Sequence, residues 1–395
     1  MAYNFGVMST IPRFLKLPKD HSFFLFGPRG SGKSTLISNT YNKENSFFID
    51  LLDTELEERF SRNPKELIEI VEALPNKIKH IIIDEVQKVP RLLDIVHHLI
   101  EKTSKLFILT GSSARKLKQE HANLLAGRAF VYNLYPFSYL EIEEKFNLKQ
   151  VIQWGLLPKI YNLKTENSKM QFLQAYAHTY LKEEIWAEQF IKNLDPFRHF
   201  LEVAAQMNGK IINYSNLSND VGVDDKTIKK YFSVLEDTLI GFFLDGFKNS
   251  FRKRLNTKPK FYFFDLGVKR ALSRTLTIPL NEGTSAYGEA FEHMVILECF
   301  KLASYYKREY RFSYLRTKDD AEIDLVVERP GKPILFIEIK SSKLITKESL
   351  RTLISLSKDF GKCEAVCFSN EPYEKLISGI KIIPWNKGIK KFFGK

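Results

Sequence analysis

Three features of the sequence predict an α/β architecture. Between residues 20 and 135, short apolar runs alternate with helix-patterned segments, the mark of a parallel sheet covered on both faces. The first of these runs leads into a glycine-rich loop with the spacing G-x-x-x-x-G-K-S. From residue 283 a long helical pattern leads into a second set of strands, FSYLRT, AEIDLVVE and ILFIEIKSS, then a helix near 347–360 and the strand-like EAVCFS. A chain of 395 residues, 44% of them apolar, has room for two or three domains, each with its own core.

In chain order, FFLF, SFFID, KHIIID, KLFILT and RAFVYNL read as the strands of the first sheet, which places a core domain at 1–135. Residues 136–195 lose the strand signal and keep helical spacing, as in QFLQAYAHTYLKEEIWAEQFI, so they read as a helical lid or connector. Residues 196–280 carry short helical patterns and then β-rich text, and 281–395 form the second α/β unit. No tandem repeat, low-complexity stretch or Pro/Gly/Ser-rich linker separates these parts.

The loop runs Gly27, Pro28, Arg29, Gly30, Ser31, Gly32, Lys33, Ser34, Thr35. Glycines let the backbone wrap a phosphate and turn its N–H groups inward, and the helix that follows adds the positive end of its dipole. Lys33 is suited to neutralise β- and γ-phosphate oxygens, and the Ser34 hydroxyl to bind Mg²⁺. The run HIIIDEVQKVP supplies the second half of such a site. Asp84 ends a strand where it can hold the metal, and Glu85 follows where a general base can polarise water. ATP and Mg²⁺ are therefore the expected ligands, and hydrolysis the expected reaction. A third strand, KLFILTGSS, ends in Thr110, Ser112 and Ser113; Ser112 is chosen as the group that senses the γ-phosphate, with helix capping as its alternative. Arg128, just before the last strand, is the candidate to stabilise transition-state charge, with Arg115 as the other choice.

GPRGSGKST, IIIDEVQKVP, LTGSSARKLK, NLLAGRA and YNLYPFSYLE, in this order, resemble the AAA-type ATPases of the DUF4143-associated family. The resemblance implies a P-loop core with an acidic base beside the metal carboxylate, and a DUF4143 region at about 180–395. It leaves a homo-oligomer open. The chain departs from the broader AAA pattern in having TGSS where a sensor asparagine stands.

Residues 211–236, IINYSNLSNDVGVDDKTIKKYFSVLE, read as helix, glycine turn, helix, the pattern of a winged-helix-like module. Asp224 or Asp225 caps the second helix, whose outer face carries Lys226, Lys229 and Lys230. The run KNSFRKRLNTKPK at 248–260 follows where a β-wing would lie, with six basic side chains, Arg252, Lys253 and Arg254 among them, and no acid. If all six met phosphates, log affinity would fall with log salt at a slope of about −5. A packing or oligomerisation module is the alternative reading.

The C-terminal unit gathers Glu289 and Glu292 on a helix, Asp324 on a strand, and Glu338 with Lys340 one residue apart on the next, hence on one face. Carboxylates beside a lysine can hold Mg²⁺ and stabilise charge during phosphodiester attack. Glu, Asp and Glu-x-Lys in this order are similar to the PD-(D/E)xK nuclease superfamily. The resemblance implies that Glu292 is the helix acid, with Glu289 in reserve. Asp324 and Glu338 become the metal ligands, and Lys340 the base or charge stabiliser. A domain that binds without cutting is the alternative.

Sixty Lys and Arg against forty-seven Asp and Glu give a net charge of +13, which suits a polyanionic partner, DNA being the expected form. Cys299, Cys363 and Cys367 are too few for a disulfide framework or a four-cysteine zinc site, and Cys363 and Cys367 read as core. No H-E-x-x-H or C-x-x-C occurs, so no zinc is expected. Trp154, Trp186 and Trp385 read as core or interface. The start, MAYNFGVMSTIPRFLKLPKDH, has no long apolar stretch, and no run approaches the roughly 18 residues of a membrane span. A cytoplasmic protein without a membrane partner is the expectation. A small-molecule kinase is a weaker fit, because two adjacent acids favour hydrolysis and no acceptor-binding signature is present.

Overall fold

The computed structural model describes residues 11–112, 128–180, 194–247 and 258–395. It divides into two compact units, one ending at Asn147 and one beginning at Leu148.

The first unit is built on five strands: β1 (Phe23–Phe26), β2 (Ser46–Asp50), β3 (His80–Asp84), β4 (Leu106–Gly111) and β5 (Phe130–Asn133). They lie in the order β2-β3-β4-β1-β5, and every pairing is parallel. Phe23, Phe24, Leu25, Ile81, Ile83, Phe107, Ile108 and Leu109 are fully buried, as central strands covered on both faces require. In a parallel sheet every strand ends at the same edge. That edge collects the loop after Phe26, Asp84 and the residues after Gly111.

The second unit opens with helices. Leu194–Gln206, Tyr214–Val221 and Asp225–Asp237 pack on a core that includes Phe197, Phe200, Leu217, Ile228 and Phe232. Gly222, at φ 77°, ends the second of these in the left-handed region that glycine tolerates. Asp224 caps the third by accepting from the Thr227 backbone N–H at 2.8 Å. Lys226, Lys229 and Lys230 are exposed on it, and the Lys229 ammonium lies 5.2 Å from the centre of the Tyr214 ring. A hairpin of β6 (Gly241–Gly246) and β7 (Lys260–Phe263) follows, and Ile211 bridges to Lys260.

The rest is helix Ser285–Tyr305, then β8 (Arg311–Arg316), β9 (Glu322–Glu328), β10 (Ile334–Lys340), helix Arg351–Phe360, β11 (Cys363–Ser369), β12 (Lys375–Ile377), β13 (Ile380–Pro384) and helix Trp385–Phe393. Strands β8, β9 and β10 pair antiparallel, and β11 joins β10 in parallel. The segments read as separate domains at 196–280 and 281–395 share one eight-stranded sheet, because β6 pairs with β8. Trp385, Ile389, Phe392 and Phe393 are buried while Lys387, Lys390 and Lys391 are exposed, so this last helix is amphipathic. Trp154 and Cys367 are also buried, Cys363 is half-buried, and Trp186 lies outside the described residues. Among the described residues, no helix is long and apolar enough to cross a membrane.

Candidate functional sites

The first site forms at the strand-end edge of the five-stranded sheet. Gly27 packs against the Leu134 backbone so closely that a Cβ would collide with the carbonyl oxygen. Gly30 and Gly32 take left-handed φ values of 75° and 97°, which lets the chain fold back before helix Lys33–Thr40. The Ser31 N–H donates to the Pro28 carbonyl at 3.1 Å. Lys33 is only 6% exposed, and its ammonium donates to the Gly27 carbonyl at 2.8 Å, across the mouth of the loop. Ser31 Oγ is buried with no hydrogen-bond partner, an orphan that suits a ligand oxygen. Arg29 and Thr35 are exposed on the loop.

Ser34 and Asp84, fifty residues apart, meet: Ser34 Oγ donates to Asp84 Oδ2 at 2.8 Å. Thr110 donates to the other Asp84 oxygen, and its own oxygen accepts from the Glu85 N–H at 3.2 Å. Glu85 turns the chain at φ 57°, a left-handed conformation costing a non-glycine residue about 1–2 kcal/mol. Its carboxylate accepts from Gln87 Nε2 at 2.5 Å, and the same amide lies 3.3 Å from Ser112 Oγ. Thr110 thus bonds to the metal-type carboxylate, while Ser112 meets the Gln87 amide that also bonds to Glu85.

Arg13 was not visible as a site residue. Its guanidinium donates to the Ser31 carbonyl at 2.7 Å, the Tyr135 carbonyl at 2.6 Å and Glu141 at 3.0 Å. Glu141 in turn accepts from the Phe14 and Ser138 N–H groups. This buried pair fixes the back of the loop.

Arg128, the candidate to stabilise transition-state charge, lies toward the opposite edge of the sheet from the loop of its own chain. It precedes β5, and Phe130 of β5 registers with Phe23, the start of β1. The loop leaves the far end of β1, about 10 Å along the strand. Arg128 instead pairs with Glu101 at 2.5 Å. Arg115 and Ser113 lie outside the described residues.

The second site lies in the second unit. Antiparallel register pairs Ile337 with Leu325, so one step on, Glu338 stands across from Asp324. Lys340 donates to Glu338 Oε1 at 2.6 Å, and Asp324 Oδ2 accepts from the Ile339 N–H at 2.7 Å. Glu338 is 5% exposed, and its Oε2 has no hydrogen-bond partner. Glu292 accepts from the Tyr262 hydroxyl at 2.8 Å. Burial, then repulsion from Asp324, raises Glu338 to about 8 and Glu292 to about 7. Burial also raises Asp324. Burial would lower Lys340, but Glu338 and Asp324 outweigh it and lift the ammonium above its usual range. Glu289, the reserve acid, is exposed. Among the described residues, no group of three or more His, Cys, Asp or Glu side chains could hold a metal ion by itself.

Lys260 is the second correction. Counted among the surface cations of 248–260, it is 4% exposed and donates to Glu322 at 2.5 Å, with Glu292 at 3.9 Å. Five cations of that run are left for a polyanion, and the limiting salt slope becomes shallower by about one. Arg252, Lys253 and Arg254 lie outside the described residues.

Family models match three segments. Residues 19–143 match an AAA domain. The first unit is of the AAA type. Residues 145–278 match a domain of unknown function, DUF8612, and residues 287–387 match a second, DUF4143. The DUF4143 match thus begins about a hundred residues later than 180, and a different family covers the preceding segment. An uncharacterized protein of Mycobacterium tuberculosis is 25% identical over 339 residues, covering 84% of this chain and 73% of its own. An uncharacterized protein of Haemophilus influenzae is 22% identical over 396 residues, covering 92% and 94%. Among solved structures, the Aeropyrum pernix ORC2 protein in its ADP form has a TM-score of 0.31 at 13% identity, covering 66% of this chain and 86% of that one. The Aeropyrum pernix ORC1 protein in complex with DNA has a TM-score of 0.25 at 13% identity, covering 64% and 86%. Likeness at that level carries no argument about this chain.

Proposed function

We propose that the protein is a Mg²⁺-dependent ATPase whose second unit binds nucleic acid, DNA being the expected form. The observation that carries this reading is the meeting of Ser34 and Asp84 at 2.8 Å beside a glycine-wrapped loop. The loop N–H groups and Lys33 suit the triphosphate, and Ser34 with Asp84 suits the metal. Bound Mg²⁺ supplies charge compensation for the phosphate oxygens. Glu85, steadied by Gln87, is placed to accept a proton from the attacking water. Lys33 trades the Gly27 carbonyl for phosphate oxygens. Phosphate release by wild type, Lys33→Ala and Glu85→Gln tests the reading; equal rates in all three would end it. A homo-oligomer would let a partner copy supply an arginine to the site, and light scattering with and without ATP tests for one.

The nucleic-acid reading rests on three exposed lysines of one helix, on its glycine turn and on the hairpin that follows. DNA affinity measured at fixed salt with ATP, ADP and no nucleotide tests whether the two activities are coupled; three equal values would uncouple them.

Metal-dependent phosphodiester cleavage is a second reading, favoured by the unpartnered, buried Glu338 Oε2 opposite Asp324. The order helix, three antiparallel strands, helix, parallel strand agrees with it. Plasmid nicking in Mg²⁺ or Mn²⁺, with Asp324→Ala and Lys340→Ala as controls, tests it. An uncut plasmid leaves a nucleotide-gated DNA-binding protein with an inactive C-terminal domain.

A further inference from the structure

The acids of the second unit are not equally served. Strand β7 sends two donors from one face into the cluster, because Lys260 and Tyr262 are two residues apart on it. Lys260 bonds to Glu322 and faces Glu292, and Tyr262 bonds to Glu292. On the other side, Lys340 takes one oxygen of Glu338, and the Ile339 N–H takes one of Asp324. What is left over is Glu338 Oε2, buried and without a partner. The cluster therefore has a closed half, sealed by β7, and an open half between Asp324 and Glu338.

The charges divide the same way. Glu292, Glu322, Asp324 and Glu338 carry four negative charges when ionised, Lys260 and Lys340 return two positive ones, and Arg316, 4.0 Å from Glu322 at the edge, is itself offset by Asp320. The deficit is the charge of one divalent ion. Mg²⁺ and Mn²⁺ are commonly held by one or two carboxylates and otherwise by water or phosphate, so the open half is enough. A second divalent ion would have to enter where the Lys260 ammonium stands.

We propose that Lys260 is a built-in cation that takes the place of a second metal ion, making the carboxylate cluster a one-metal site. This rests on the metal-site reading of Asp324 and Glu338. Lys260 is then a specificity-determining residue: it sets how many ions the acids accept. It comes from the hairpin after the lysine-bearing helix, not from the strands that carry the ligands, which explains why the Glu-x-Lys pattern does not reveal it.

The test is the stoichiometry of Mn²⁺ binding to the full chain without nucleotide. It is read by calorimetry and electron paramagnetic resonance in an Asp84→Asn background, which removes the carboxylate proposed to hold metal at the loop site and so takes that site out of the count. The expected result is one Mn²⁺ in the parent, none at this site in Asp324→Asn, two in Lys260→Met, and one again in Lys260→Arg. A single ion of unchanged affinity in Lys260→Met overturns the proposal and leaves the metal site standing. Loss of binding in a folded Lys260→Met also overturns it, because Lys260 would then support the ion rather than replace it. No binding in either the parent or Lys260→Met removes the metal site and the proposal together. If Lys260→Met does not fold, Glu322→Gln serves. Freed from its main partner, Lys260 shifts toward Glu292 and Asp324, and Mn²⁺ affinity falls about tenfold; unchanged affinity overturns the proposal.

Discussion

The two candidate sites differ in how they are assembled. The loop site is local: nine consecutive residues and one strand end supply nearly all of it, and its charged groups sit at the edge of a sheet. The carboxylate site draws on helix Ser285–Tyr305 and on β7, β9 and β10, and it buries its acids against one another. The strand-edge site leaves Ser34 exposed and Asp84 and Glu85 half-buried, within reach of a ligand. A site within the sheet holds unfavourable charge, which a bound proton, built-in lysines or an incoming cation can offset.

The sharpest way to break this contrast is to remove one group from each site. Glu85→Gln should lower ATP turnover by about 10²–10⁴ while nucleotide affinity is kept, as phosphate release and calorimetry would read. A tenfold loss or less would mean that Glu85 is not the base. Next in size is the buried pair behind the loop. Arg13→Met leaves Glu141 buried and unpaired, and should cost about 3–5 kcal/mol in denaturant unfolding of the first unit. A loss under about 1 kcal/mol would show that the loop is held by other contacts.

The carboxylate site predicts a pH dependence of stability. Glu338 is raised to about 8 when folded, against an ordinary 4.5. The folded chain therefore binds the extra proton between these values, and stability falls as pH rises through that window. Glu338→Gln removes the penalty. It should match wild type below about pH 4.5 and exceed it above pH 8, by roughly 1–3 kcal/mol without metal. Thermal melts across that range would read it, and parallel curves would refute it. Smaller still is Asp224→Ala, which removes a helix cap and should cost about 1 kcal/mol. Replacing Lys226, Lys229 or Lys230 by Ala should each reduce the salt slope of DNA binding by about 0.9, with no effect on Mn²⁺ binding.

What the sequence disclosed follows the same division. The five strands, the loop, Ser34 and Asp84 were legible because motif and periodicity are local signals. The pairing of Glu338 with Lys340 was legible for the same reason, lying within one strand. Arg13 was not, since its carboxylate partner is 128 residues away and nothing in the text near it marks burial. Lys260 was misread because a basic run looks alike whether its last member faces water or turns inward. Arg128 carried a usable signal that was missed: in an all-parallel sheet, a residue before a strand lies at the opposite edge from a residue after one. Gln87 left no signal, because its role depends on the left-handed turn at Glu85.

The pairing of β6 with β8 has one more consequence. The lysine-bearing helix is followed within four residues by β6, which bonds to β8, and β8 in turn bonds to β9, the strand of Glu322 and Asp324. On the proposed function, a change in the helix that meets nucleic acid would be passed through one continuous sheet to the acids two strands away.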